Sequence, residues 1–156
     1  ITAFYNVLVD SDDMNEPITD AVRGILDGHI VLSRKLAQAY HYPAIDVLAS
    51  ISRLSKRVSG KMTQKACAKI RTLMATYQNN EAAIVSGIYA KGNSPAIDEA
   101  IDMHQPIEEF LTQEEYEPSS MKETLDKLAS LSGVEIPETE YVEAPALVVS
   151  EPVENE

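Results

Sequence analysis

The chain opens on Thr2-Ala-Phe-Tyr-Asn-Val-Leu-Val9, an apolar, β-branched and aromatic run without alternation. A run of that kind suits a strand covered on both faces in a parallel sheet, and it reads as a strand cut out of something longer. Asp10 to Asn15 is a polar, acidic turn. Asn15 is placed to cap a helix with Glu16 and Pro17 in its first positions. Ile18, Val22, Ile25 and Leu26 form that helix's apolar stripe, which Gly28 ends. His29 to Ser33 predicts a second strand, and the stretch between the two is long enough for a right-handed β-α-β crossover. Arg34 to Tyr40 reads as a short helix, and Pro43 breaks the pattern. Ile45, Leu48, Ile51 and Leu54 then recur at helical spacing, and the basic stretch Ser55 to Gly60 marks a boundary.

From Lys61 the period is helical throughout. Met62, Ala66, Ile70, Leu73, Met74 and Tyr77 mark one face of a long helix continuing to about Gly87. Lys91 to Pro95 is a turn cluster. Ile97, Ala100 and Ile101 predict one further helix, and Ile107, Phe110 and Leu111 another. Ser120-Met-Lys-Glu123 has the spacing of a capping box ahead of Leu125, Leu128 and Leu131. Gly133 to Glu156 mixes Glu and Pro with few large apolar residues and reads as mostly disordered. These readings divide the 156 residues into 1–57, 58–113 and 114–156, the last an acidic tail with one short helix.

Charge sharpens that division. The net charge is −12, and Gln113 to Glu156 holds twelve acids against two bases, while Ile1 to Thr112 is almost balanced, with thirteen against eleven. A near-neutral body lacks the clustered Lys and Arg that neutralise a phosphate backbone, so no nucleic-acid partner is expected. No apolar run approaches the roughly 20 residues of a membrane-spanning helix, and no signal segment opens the chain. Cys67 is the one cysteine, so no internal disulfide can form.

Most short motifs are absent. The chain has no phosphate-cradling G-x-x-x-x-G-K-[ST], no G-x-G-x-x-G, no H-E-x-x-H and no C-x-x-C. Asp10, Asp12 and Asp13 resemble a calcium loop only at its start: Met14, Asn15 and Ala21 stand where a ligand, the turn glycine and the closing glutamate belong. His29, His41 and His104 lie far apart, and no metal site is expected.

Several stretches together carry a resemblance. They are Ile1 to Val9, Asp12-Asp-Met-Asn-Glu-Pro17, Gly24-Ile-Leu-Asp-Gly-His-Ile-Val-Leu-Ser-Arg34 and His41-Tyr-Pro-Ala-Ile-Asp-Val-Leu-Ala-Ser-Ile-Ser-Arg53, continuing through Met74-Ala-Thr-Tyr77 and Tyr89-Ala-Lys-Gly-Asn-Ser-Pro95. This looks like the C-terminal part of the flagellum-specific, type III secretion export ATPase, a relative of the rotary ATP synthase β subunit. The resemblance fades near Gln113. It implies an α/β fragment, the last strands of a RecA-like P-loop nucleotide-binding domain, followed by an all-α C-terminal domain. It also implies ATP hydrolysis with Mg2+ in a cytoplasmic homohexameric ring at the flagellar export apparatus. The partners it implies are a central coiled-coil stalk or chaperone-escort protein, an export gate and a negative regulator, with only peripheral membrane association. The phosphate loop and the metal-holding residues of the family have no counterpart here, so the chain by itself is expected to bind no nucleotide tightly.

The resemblance assigns individual roles. Arg53 looks like the arginine finger that reaches into a neighbouring subunit's ATP site, since a planar, permanently charged guanidinium suits a phosphoryl-transfer transition state. From spacing alone it is a surface charge beside Lys56 and Arg57. Tyr42, held by Pro43, looks like an adenine-stacking ring; from its residue type it is a half-buried packing tyrosine. Tyr116 stands near a second family aromatic. Asp12, Asp13, Asn15 and Glu16 match a stalk-contacting loop, but acids at a helix N-terminus need no further purpose. Lys91 and Asn93 fall in the matching tip loop, a second stalk contact. Two other readings stay open: a fragment of an injectisome ATPase, and a non-enzymatic module that binds a coiled coil.

Overall fold

The computed structural model describes residues 5–8 and 17–141. They fall into two units, residues 1–58 and 59–156.

In the first unit, helix α1 spans Pro17–Ile25, strand β1 Gly28–Leu32, helix α2 Arg34–Gln38, strand β2 Ile45–Ser52 and helix α3 Ser55–Val58. The Ser33 hydroxyl accepts the Leu36 N–H and so starts α2. β1 and β2 pair antiparallel, Gly28 opposite Ser52 and Leu32 opposite Ile45. The apolar spacing at Ile45, Leu48 and Ile51, which suggested a helix, belongs to a strand. The ladder changes register between His29/Ile51 and Val31/Asp46, so extra residues of β2 form a bulge. Ser50 holds it: its Oγ accepts the Val31 N–H at 3.0 Å and donates to the Asp46 carbonyl at 2.6 Å, while Asp46 Oδ1 accepts the Ala49 N–H at 2.9 Å. The bulge breaks the two-residue alternation that identifies a strand.

The expected parallel crossover from the opening run is not present among the described residues. Tyr5–Leu8 form no strand and are exposed, and β1 pairs only with β2 there. An apolar run specifies burial but not a pairing partner. Residues 1–4 and 9–16 lie outside the described residues.

The second unit holds helix α4 over Lys61–Val85, α5 over Pro95–Leu111, α6 over Met121–Ser132 and a 3-10 turn over Glu138–Glu140. Ala66, Ile70 and Leu73 of α4, Ala100 and Ile107 of α5, and Leu125 and Leu128 of α6 form its core. Tyr77 and His104 stack across α4 and α5 with ring centroids 3.6 Å apart. The capping box that opens α6 forms in both directions between Ser120 and Glu123.

Two expectations are corrected here. The helices anticipated at Ile97–Ile101 and Ile107–Leu111 are one, with Pro106 inside α5. Proline removes a single helical donor, and the continuous apolar face from Ala100 to Ile107 in the core outweighs that loss. Nor is the chain without structure from Gly133. Val134 and Ile136 are buried in the core, and Glu140 and Tyr141 bond to α4 and α6. Two apolar side chains at alternate positions bury effectively against α4 and α6 despite the acidic company. Residues 142–156 lie outside the described residues.

Candidate functional site

Arg53 follows the last residue of β2. Its backbone N–H donates to the Asp27 carbonyl at 2.8 Å, which fixes the main chain next to the β1 entry. The side chain is exposed. Its Nη1 approaches the Gly24 carbonyl at 3.4 Å and its Nη2 the Arg23 carbonyl at 3.5 Å, both in the last turn of α1. Arg23, Gly24, Leu26, Gly28, His29 and Ile51 line an open pocket together with it.

Tyr42 and Pro43 lie in the loop between α2 and β2. The bond between them is cis, and Tyr40 stands two residues earlier in the left-handed region, φ 60°. The loop is tied at both ends: His41 N–H donates to Leu36 O at 3.0 Å, and Ser33 N–H to Ala44 O at 2.8 Å. Tyr42 is 50% exposed, and its ring meets Tyr40 edge-on at 6.4 Å. Tyr40 is more exposed still, and the Tyr-His-Tyr spacing was the sequence signal for this aromatic pair. Pro43 is also exposed. A rigid loop thus offers two aromatic faces to a planar ligand.

Lys91 and Asn93 sit in the α4–α5 connection, in the other unit. The Lys91 ammonium pairs with Asp102 at 2.5 Å, and that carboxylate raises the lysine pKa. Asn93 is exposed, its N–H donating to the Ala90 carbonyl at 3.3 Å. The loop is built around Asp98, which accepts the Gly92 N–H at 2.9 Å and the Tyr89 hydroxyl at 2.9 Å. Gly92, at φ 101°, takes a conformation that favours glycine. Asp98 closes the tip loop Tyr89 to Asp98 that the resemblance singles out, and Asp102 is the residue that sequence reasoning missed; its i, i+4 spacing from Asp98 on one face of α5 was the available signal. Tyr116 is exposed and lies in no helix. Asp12, Asp13, Asn15 and Glu16 lie outside the described residues. No cluster of three His, Cys, Asp or Glu side chains stands ready for a metal ion among the described residues, and none of their helices is long and apolar enough to cross a membrane.

Residues 1–52 match the nucleotide-binding domain of the ATP synthase alpha/beta family. Residues 60–130 match the T3SS EscN ATPase C-terminal domain. The chain therefore joins a segment of an ATP synthase-type nucleotide-binding domain to a helical domain of the type III secretion ATPases. Within that class it matches the C-terminal region of the flagellum-specific and type III secretion ATPases. It is 53% identical over 135 residues to the flagellum-specific ATP synthase of Bacillus subtilis (strain 168), covering 86% of this chain and 31% of that relative. The assembled ATPase EscN from the enteropathogenic E. coli type III secretion system superposes with a TM-score of 0.78 at 42% identity, over 81% of this chain and 31% of that one. The same ATPase in complex with its central stalk EscO gives a TM-score of 0.71 at 41% identity, over 74% and 29%. The chain thus spans under a third of the length of these relatives.

Proposed function

We propose that this chain is the C-terminal part of a flagellar protein export ATPase, which hydrolyses ATP in a homohexameric ring to drive type III export. The observation that carries the reading is Arg53: an exposed guanidinium on a main chain pinned at the end of β2, within a stretch matching an ATP synthase-type nucleotide-binding domain. Arg53 acts in trans, placing its fixed positive charge against the phosphoryl oxygens in a neighbouring subunit's site. Tyr42, with Pro43 setting its backbone, stacks on adenine. The loop residues Asp12, Asp13, Asn15 and Glu16 face a basic coiled-coil stalk, and Lys91 and Asn93 of the tip loop make a second contact with it, a reading supported by the relative solved with its central stalk. The export gate and the negative regulator of the apparatus complete the partners of the full-length protein, which works in the cytoplasm at the export apparatus.

The residues described do not fit a Mg2+ ion, since no acidic or histidine cluster forms among them. Metal and phosphate-loop chemistry is accordingly assigned to residues other than those described. The 156-residue chain by itself neither binds ATP tightly nor turns it over. An injectisome ATPase is the second reading, favoured by the match of residues 60–130 to the EscN C-terminal domain.

The test is ATP hydrolysis by the full-length protein against its Arg53→Ala variant as protein concentration rises, with the isolated chain as control. Wild-type turnover is expected to climb cooperatively, the isolated chain to show none, and the variant to lose about 10³–10⁵-fold in kcat while still binding nucleotide. Near-wild-type turnover by Arg53→Ala would reduce Arg53 to a surface charge and leave the chain a partner-docking module.

A further inference from the structure

We infer that the C-terminal turn of α1 is a resting dock for Arg53, holding its guanidinium withdrawn, and that the enzyme becomes active only as this dock lets go. The inference rests on the reading of Arg53 as the trans finger.

The backbone of Arg53 has little freedom. Its N–H is bonded to Asp27 O at 2.8 Å, and the preceding residue, Ser52, is paired with Gly28. Redeployment of the charge must therefore come from side-chain rotation. In the observed rotamer both terminal nitrogens aim at carbonyls in the last turn of α1, Nη1 at Gly24 and Nη2 at Arg23. That is where a helix gathers carbonyls with no intrahelical donor and where its dipole is negative, and an arginine there satisfies both. Leu26 and Ile51, in the wall of the same pocket, offer apolar surface to the aliphatic stem.

The hold is weak by construction. Distances of 3.4 and 3.5 Å lie beyond the usual N–H···O range of about 2.7–3.2 Å. The acceptors are neutral carbonyls in an exposed setting rather than a carboxylate. A dock of this kind keeps the guanidinium oriented without trapping it. A triphosphate in a neighbouring subunit, carrying full negative charge, outcompetes two long bonds to neutral oxygens.

Gly24 provides the test. A Cβ built there meets nothing within 4 Å, and its φ lies outside the left-handed region. Gly24→Glu and Gly24→Lys therefore enter open space, and both replace a glycine in a helix with a better helix former. Their charge beside Arg53 is opposite; because the helix dipole at this end favours Lys over Glu, the melting temperature of each variant is measured and kcat compared well below both. In the full-length protein Gly24→Glu should reinforce the dock and lower kcat by about two- to fivefold, the range an exposed ion pair supports, with nucleotide KM unchanged. Gly24→Lys should give a kcat equal to or above wild type. The gap between the two should narrow as salt screens the charges. Equal kcat for both variants, or a gap indifferent to salt, overturns the dock. Arg53→Ala measured alongside separates the two ideas. If it loses turnover while the Gly24 variants coincide, the finger stands and only the dock falls; if it keeps turnover, the finger reading itself fails.

Discussion

Glu140 is the side chain on which the start of α4 depends. Gly60, the residue at that helix's N-terminus, has no side chain to accept the first orphan N–H groups. The Glu140 carboxylate accepts them from eighty residues along the chain: Met62 N–H at 3.0 Å on Oε1, with Thr63 N–H and Thr63 Oγ1 each at 2.8 Å on Oε2. Gly60 and Glu140 are coupled by space as well, since a Cβ at Gly60 would collide with the Glu140 side chain at Cδ. Adding that methyl must expel the carboxylate. Gly60→Ala and Glu140→Gln should therefore each lower the melting temperature, and the double variant should lose clearly less than the sum of the two. A strictly additive double variant would show that the two residues act independently. The pH dependence has a defined sign. The backbone N–H groups of Met62 and Thr63 hold the Glu140 pKa below its ordinary value. This stabilisation is fully present above the unfolded value of about 4.3 and is lost as pH falls through the lower folded value. The melting difference between wild type and Glu140→Gln should thus close as pH drops below about 4.

At the scale of elements, what could be read depended on whether a local period survived the fold. α4 and α6 keep theirs: Met62, Ala66, Ile70 and Leu73 lie on the face that packs, and the Ser120–Glu123 box opens α6 where its spacing put it. Leu128 of α6 is buried against this core, so Leu128→Ala should cost about 2–5 kcal/mol in denaturant unfolding of the whole chain. A loss under about 1 kcal/mol would place α6 outside the cooperative core. β2 did not keep its period. The bulge that Ser50 and Asp46 stabilise shifts the register, and Ile45, Leu48 and Ile51 then count as a helix. α5 was read as two apolar groups, Ile97 to Ile101 and Ile107 to Leu111, while burial of Ile107 keeps the helix whole across Pro106. The 133–141 segment was invisible for another reason. Its order comes from tertiary partners, Val134 and Ile136 in the core and the Tyr141 hydroxyl on Asp126 at 2.7 Å, and composition carries no record of those. Of the site, Arg53, Tyr42 and Lys91 were legible as motif residues. The carbonyl dock on α1 and the Asp102 partner of Lys91 were not, because both depend on which backbone and which helix face come to lie beside them.

At the scale of the molecule, burial is divided unequally between the two units. Every buried side chain among the described residues lies between Ala66 and Ile136. In the first unit none of residues 5–8, 17 and 21–58 is buried, and Ile25, Ile30 and Leu32 are exposed. A two-stranded sheet with no core beneath it is marginal in water, because little apolar burial offsets the backbone entropy of ordering it. A segment that carries Arg53 and Tyr42 on so little buried surface is one whose order depends on chain packed around it. The consequence is measurable by amide hydrogen exchange on the 156-residue chain. The amides of β1 and β2, among them that of Val31 on Ser50 Oγ, should exchange through low-energy local openings, whereas those of Ile70 and Leu73 in α4 should approach the protection of global unfolding. In the full-length protein the β1–β2 amides should gain protection and those of α4 change little. Equal protection of the two units in the isolated chain would mean that the first unit is stable by itself. The inactivity proposed for the isolated chain would then rest on the absence of a phosphate-loop motif from its sequence, and not also on an unsupported β2 next to Arg53.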